Sequence, residues 1–95
     1  MTGTTRSTDG LDARRRKLLF RSWHRGMREV DLILGSFVDA TIDVLTDAEL
    51  EQYESLLEVP DTILLPWLTG EQPIPEREQS TILQQIIAFR RAMTF

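Results

Sequence analysis

Acid–base, nucleophilic or metal chemistry needs particular side chains in close company, and this 95-residue chain supplies few of them. His24 is the sole histidine and cysteine is absent. No second histidine or clustered carboxylate stands at metal-ligand spacing from His24, so it reads as a cap or a surface residue near a helix end. Ser22, Ser36, Ser55 and Ser80 lack the glycine-flanked turn that exposes a nucleophilic serine. Neither a GxGxxG nor a GxxxxGKS/T run is present, which argues against a self-contained nucleotide site. Asp39, Asp43 and Asp47 recur every four residues, the spacing of a solvated helix face rather than of converging metal ligands. The expectation is a protein that is not an enzyme, with no catalytic residue, no metal site and no cofactor bound by itself.

Two groupings are suited to binding. Arg14, Lys17, Arg21 and Arg25 are spaced 3, 4 and 4 residues apart and make a basic stripe along one helix face. That stripe fits a solvated face, a protein-docking face or a phosphate-neutralising one. The net charge of −4 weighs against nucleic acid, as does placing Phe20 and Trp23 with the core rather than among the bases. The denser grouping is the run from His24 to Asp31. Gly26 there suits the left-handed position after a helix end and allows close approach of another molecule. Arg25 before the break and Glu29 after it are placed to pair across it, and Glu29 lies near the positive end of the second helix. A plain helix–glycine–helix joint with dipole-favoured charges accounts for the same residues equally well.

The elements that must position these residues are all helical. Asp9 is placed to cap a first helix reaching about His24, with Leu19, Phe20 and Trp23 inward. Val30, Ile33, Leu34, Phe37, Val38 and Ile42 recur at helical spacing and define a second helix from about Arg28 to Asp43. Thr46-Asp47-Ala48-Glu49 is a capping box opening a third helix with Leu50, Tyr53 and Leu57 inward, ending before Pro60. A fourth element runs from Pro60-Asp61 to Gly70, with Pro66 expected to split it or delay its start. Pro75-Glu76 opens a last helix whose core face is Ile82, Leu83, Ile86, Ile87, Phe89 and Met93. No strand pattern competes. The expected fold is all-α, a compact bundle of about five short helices over residues 10–95, preceded by a flexible segment 1–9.

Composition agrees. A 41% apolar content supports one modest core at this length. Charge is segregated: residues 1–30 hold eight bases and three acids, whereas 31–76 hold eleven acids and no base. Such polarity favours oriented docking on a partner. No apolar run approaches a membrane span, so no membrane contact is expected. The opening dozen residues have neither a secretory core nor the acid-free character of a transit peptide. Bacterial cytoplasm is therefore expected ahead of the mitochondrial matrix, and the charged stripe suggests a monomer when free.

At Arg25-Gly26-Met27-Arg28-Glu29-Val30-Asp31 the sequence resembles the succinate dehydrogenase assembly factor 2 family, whose bacterial members are called FAD assembly or flavinylation factors. Its Arg-Gly-x-x-Glu signature falls on Arg25, Gly26 and Glu29. The basic approach Arg14 to Ser22, the Leu45-to-Glu49 turn and Trp67-Leu68 before a Gly/Pro loop agree, so the likeness spans about residues 13–92. The resemblance implies a five-helix bundle that binds the flavoprotein subunit of succinate dehydrogenase or of fumarate reductase. It implies promotion of covalent attachment of FAD to a client histidine, the FAD belonging to the client. The attachment would be autocatalytic in the client, through loss of a proton from the flavin 8α-methyl and attack by the histidine, with the helper acting by positioning. Carried onto this chain, the partner-binding residues are Arg21, Arg25, Gly26, Met27, Arg28, Glu29 and Asp31. Trp67 is expected to pack within the fold. A nucleic-acid-binding or regulatory role for the basic first helix is the alternative, and delivery of free FAD a further one.

Overall fold

The computed structural model describes residues 10–93. Among them are α1 (Ala13–Trp23), α2 (Arg28–Thr41), α3 (Asp47–Leu56), α4 (Asp61–Thr69) and α5 (Thr81–Ala92), with a 3-10 turn at Glu76–Glu78. The all-α class and the five α-helices are as expected, and no strand occurs among the described residues. The segment 1–9 expected to be flexible lies outside the described residues, as do 94–95. The chain divides into two compact units between Leu45 and Thr46.

In the first unit α1 packs on α2, its start at Arg15 meeting Ile42 and Leu45 and its end at Trp23 lying on Gly35, so the two run antiparallel. Asp12 caps α1, its carboxylate accepting the Arg15 N–H at 2.8 Å. The helix thus starts later than a cap at Asp9 would place it, and Asp9 itself is outside the described residues. Leu18, Leu19 and Ser22 form the buried face of α1. Phe20 does not join them: it is 64% exposed, because a residue one or two positions from Leu18 and Leu19 turns about 100–200° around the helix from them. Trp23 is only half-buried, lying against Gly35 of α2. A Cβ at Gly35 would lie 2.3 Å from the indole Cδ2, so glycine there is what lets the ring approach the α2 backbone.

Val30, Ile33, Leu34, Phe37 and Val38 of α2, with Ile42 just beyond it, are all buried as their spacing predicts. Each contributes about 1.5–3 kcal/mol of apolar burial, an upper bound for a chain already partly compact when unfolded. α2 ends at Thr41, two residues short of Asp43. The carbonyls that follow it are met by Arg15, whose Nε donates to the oxygen of the C-cap Ile42 at 2.9 Å and Nη2 to the Leu45 oxygen at 2.7 Å. Arg15 Nη1 also pairs with the Asp12 carboxylate at 2.6 Å.

In the second unit α5 packs on α3 and on α4. The capping box at Thr46 and Glu49 is present, and Leu50, Tyr53 and Leu57 are buried. α4 is unbroken from Asp61 despite Pro66. The carbonyl that loses its helical donor to Pro66 belongs to Thr62, an exposed residue, where water can take over. Trp67 is buried, and α4 closes on Gly70 at φ +85°. The last helix does not run on from Pro75: the 3-10 turn ends, the chain extends through Gln79, and Ser80 caps a new start by accepting the Leu83 N–H. Ile82, Leu83 and Ile86 are buried, whereas Ile87, Phe89 and Met93 are half-buried rather than core. Gln52 of α3 accepts the Ile82 N–H at 3.0 Å, satisfying a first-turn donor of α5.

Candidate functional site

The joint between α1 and α2 brings the predicted residues together. α1 ends at Trp23, and the next residue, His24, is exposed with its Nδ1 donating to the Phe20 carbonyl at 2.7 Å. Because a carbonyl only accepts, Nδ1 is the donor in this contact. The backbone then turns through Gly26 at φ +106°, a conformation that side chains rarely tolerate. Among the described residues nothing lies within 4 Å of where a Gly26 Cβ would be, so the glycine answers a backbone need and leaves open space outside it.

Met27 follows in extended conformation as the N-cap of α2 and offers no side-chain cap. The joint is instead tied by Asp31, one of whose carboxylate oxygens accepts the Arg25 N–H at 3.0 Å. Its own N–H donates to the Met27 carbonyl at 2.9 Å. The expected Arg25–Glu29 pairing is thus not what spans the break. Six residues, Arg25 to Glu29 and Asp31, share the joint, and half-buried Arg21 stands one turn back on α1.

Arg28 and Glu29 are exposed, and among the described residues their side chains enter no hydrogen bond or ion pair. Glu29 sits in the first turn of α2, where the helix dipole favours its charge. Asp31 closes the turn onto the Arg25 N–H, and Arg21 and Arg25 are half-buried and engaged within the fold. Arg28 and Glu29 face solvent from a backbone held by Gly26 and the Asp31 bond.

Two features of this region escape sequence reading. Phe20 and His24 stack with ring centroids 4.0 Å apart and planes 16° from parallel. Their i, i+4 spacing was the available signal, masked by assigning Phe20 to the core. Arg15 stands in the sequence only as part of the basic run from Arg14 to Ser22, yet it is the half-buried fork that meets the chain just beyond α2.

No group of three or more His, Asp or Glu side chains able to hold a metal occurs among the described residues. No helix of the described residues is long and apolar enough to cross a membrane. In the second unit a groove of about 280 Å³ is lined by Trp67, Pro73, Ile74, Ile87, Arg90 and Arg91 among others. It lies at the lower limit of small-molecule sites and has no glycine-rich phosphate cradle, so it is a poor fit for a dinucleotide such as FAD.

Comparison with known proteins gives a consistent result. The family described as "Flavinator of succinate dehydrogenase" matches residues 16–90. The chain is 44% identical over 79 residues to the FAD assembly factor SdhE of Acetobacter pasteurianus, covering 83% of this chain and 72% of that protein. It is 37% identical over 76 residues to the mitochondrial succinate dehydrogenase assembly factor 2 of Dictyostelium discoideum, covering 80% and 54%. For the counterpart in Danio rerio the values are 31% over 88 residues, 90% and 56%. The chain thus spans about half the length of these mitochondrial relatives and more of the bacterial one. No solved structure matches it. With the family matched across most of its length and the Arg-Gly-x-x-Glu residues placed on one solvent-facing joint, this chain belongs to the succinate dehydrogenase flavinator family.

Proposed function

We propose that this protein is an assembly factor that docks on the flavoprotein subunit of succinate dehydrogenase and promotes covalent attachment of FAD to it. The observation that carries this reading is the α1–α2 joint. It combines a turn set by Gly26, open space outside it among the described residues, and exposed Arg28 and Glu29 that engage no group among those residues. A surface of that kind is preorganised for a partner, because little conformational freedom remains to be lost on docking. Arg25, Met27, Asp31 and Arg21 flank the contact, Asp31 through the joint it holds.

The FAD belongs to the client, and the work of this chain is positional. It holds the client so that its histidine and flavin approach in reactive geometry, while the proton and electron chemistry stays in the client's own site. Fumarate reductase, whose flavoprotein is of related type, is a second client on this reading. The free protein acts as a monomer in the bacterial cytoplasm, without nucleic acid or membrane.

The test is to produce the client subunit with and without this protein and read bound flavin by fluorescence after denaturation. Wild type raises the attached fraction. Gly26→Arg, strained at φ +106° and projecting bulk into the open space, abolishes the gain while the chain stays folded. An attached fraction indifferent to the protein, under conditions where attachment is limiting, refutes the reading for that client.

A further inference from the structure

The fold does not use the largest exposed apolar side chain on α1. Phe20 is 64% exposed, and its neighbours Leu18, Leu19 and Ser22 already form the buried face of that helix. An aromatic ring in water gains nothing for folding, yet this one is held in place. His24 stacks on it at 4.0 Å, and the His24 Nδ1 bond to the Phe20 carbonyl fixes the imidazole in turn. Two rings locked together lose little rotamer freedom when a partner covers them, which is the property of an interface anchor.

The surroundings define the partner. No acidic residue occurs from Ala13 to Arg28. Lys17, one turn before Phe20, is exposed and engages no group among the described residues, and the same holds for Arg28 beyond the joint. Arg21 lies beside Phe20 in sequence. An aromatic centre with cations around it matches an apolar recess rimmed by carboxylates. The stack also straddles the C-terminal end of α1, from Phe20 in its last turn to the C-cap His24, directly before Arg25 and Gly26, so one partner surface can cover both.

We propose that the Phe20–His24 stack is the apolar anchor of the docking surface, seating in an acid-rimmed apolar recess of the flavoprotein client. This rests on the assembly-factor reading above and adds to it the residues that supply affinity. The Arg-Gly-x-x-Glu joint gives the polar register, and Phe20 gives the area removed from water.

The test is binding of purified flavoprotein subunit to the full chain and to Phe20→Ala, Phe20→Gln, Phe20→Trp and His24→Ala, by calorimetry at low and moderate salt. Thermal unfolding of each free variant and the flavin-attachment assay run alongside. Phe20→Ala and Phe20→Gln keep the wild-type unfolding midpoint and bind about tenfold or more weakly, the range of an interface hot spot. Phe20→Trp retains binding, and His24→Ala falls between. If Phe20→Ala and Phe20→Gln bind like wild type while wild type still promotes flavin attachment, the anchor is refuted and the assembly function stands. If wild type neither binds the subunit nor raises attachment, the function itself fails and the anchor with it. A marked loss of thermal stability in both Phe20→Ala and Phe20→Gln makes the ring structural and overturns the inference. So does tight binding of single-stranded oligo-dT that depends on Phe20 while the flavoprotein is not bound.

Discussion

Replacing Gly35 with alanine sets two opposed effects against each other. Alanine in a helix interior is favoured over glycine by up to about 1 kcal/mol. Against this, the new methyl would sit 2.3 Å from Cδ2, 2.4 Å from Cε2 and 2.6 Å from Cε3 of Trp23. These are atoms of a rigid bicycle, so the whole indole must shift. If it stays, the helices are pushed apart at an overpacking cost of about 1–3 kcal/mol. If it swings out, the half-buried ring loses its packing and its 3.4 Å N–H contact with Asp39, a comparable loss. With three ring atoms inside 3.0 Å the cost lies toward the upper end, about 2–3 kcal/mol, so after the propensity gain the net expectation is destabilisation by about 1–2 kcal/mol, at roughly 4–8 °C of unfolding midpoint per kcal/mol for this size. Urea and thermal unfolding measure it, and a red-shifted tryptophan emission in a Trp67→Phe background reports the displaced Trp23. A Gly35→Ala chain as stable as wild type, with unshifted emission, would refute the close-approach argument.

Other expectations follow from the joint and the caps. Asp31→Ala removes the acceptor of the Arg25 N–H and should cost about 1–2 kcal/mol in urea unfolding, and it should lower flavin attachment by loosening the turn. Glu49 is held below its ordinary 4.5 chiefly by the Thr46 N–H, with Gln85 and the Thr46 hydroxyl adding to it. A carboxyl depressed in the folded state stabilises fully above its unfolded value and loses that contribution as pH falls through the lower folded one. Thermal melts from pH 6 to pH 3 should therefore decline below about 4.5, and Glu49→Gln should flatten that limb. Asp12, lowered from 3.8 chiefly by the Arg15 N–H, acts in the same direction at slightly lower pH.

Helical periodicity exposed most of the architecture. The six apolar positions from Val30 to Ile42 and the capping box at Thr46 are local patterns, and each appears where its spacing puts it. What was illegible depended on which neighbour an element meets. Phe20 looks apolar in any window, and only the position of α2 decides that Leu18 and Leu19 face inward instead. The split of the last helix rests on Ser80 competing successfully with Pro75 as a start. At the joint, Gly26 was readable from its type, whereas the choice of Asp31 over Glu29 to bridge the break turns on geometry one helical turn further along. Arg15 was hidden for a similar reason, its acceptors lying 27 and 30 residues away.

That arginine has a consequence for how the helix pair breathes. One planar fork holds the Ile42 and Leu45 carbonyls and the Asp12 carboxylate at the end of the α1–α2 pair opposite the joint. Lysine, with a single mobile ammonium, could not span the three acceptors at once. Local opening of that end therefore requires several charge-assisted bonds to break together, so the pair resists fraying where the chain leaves α2. In hydrogen exchange the amides of Ile42 and Leu45, bonded to Val38 and Thr41, would stay protected, and Arg15→Lys would speed them selectively. A docked client would slow exchange at the opposite end, at Arg25 and Asp31, and leave the latched end unchanged.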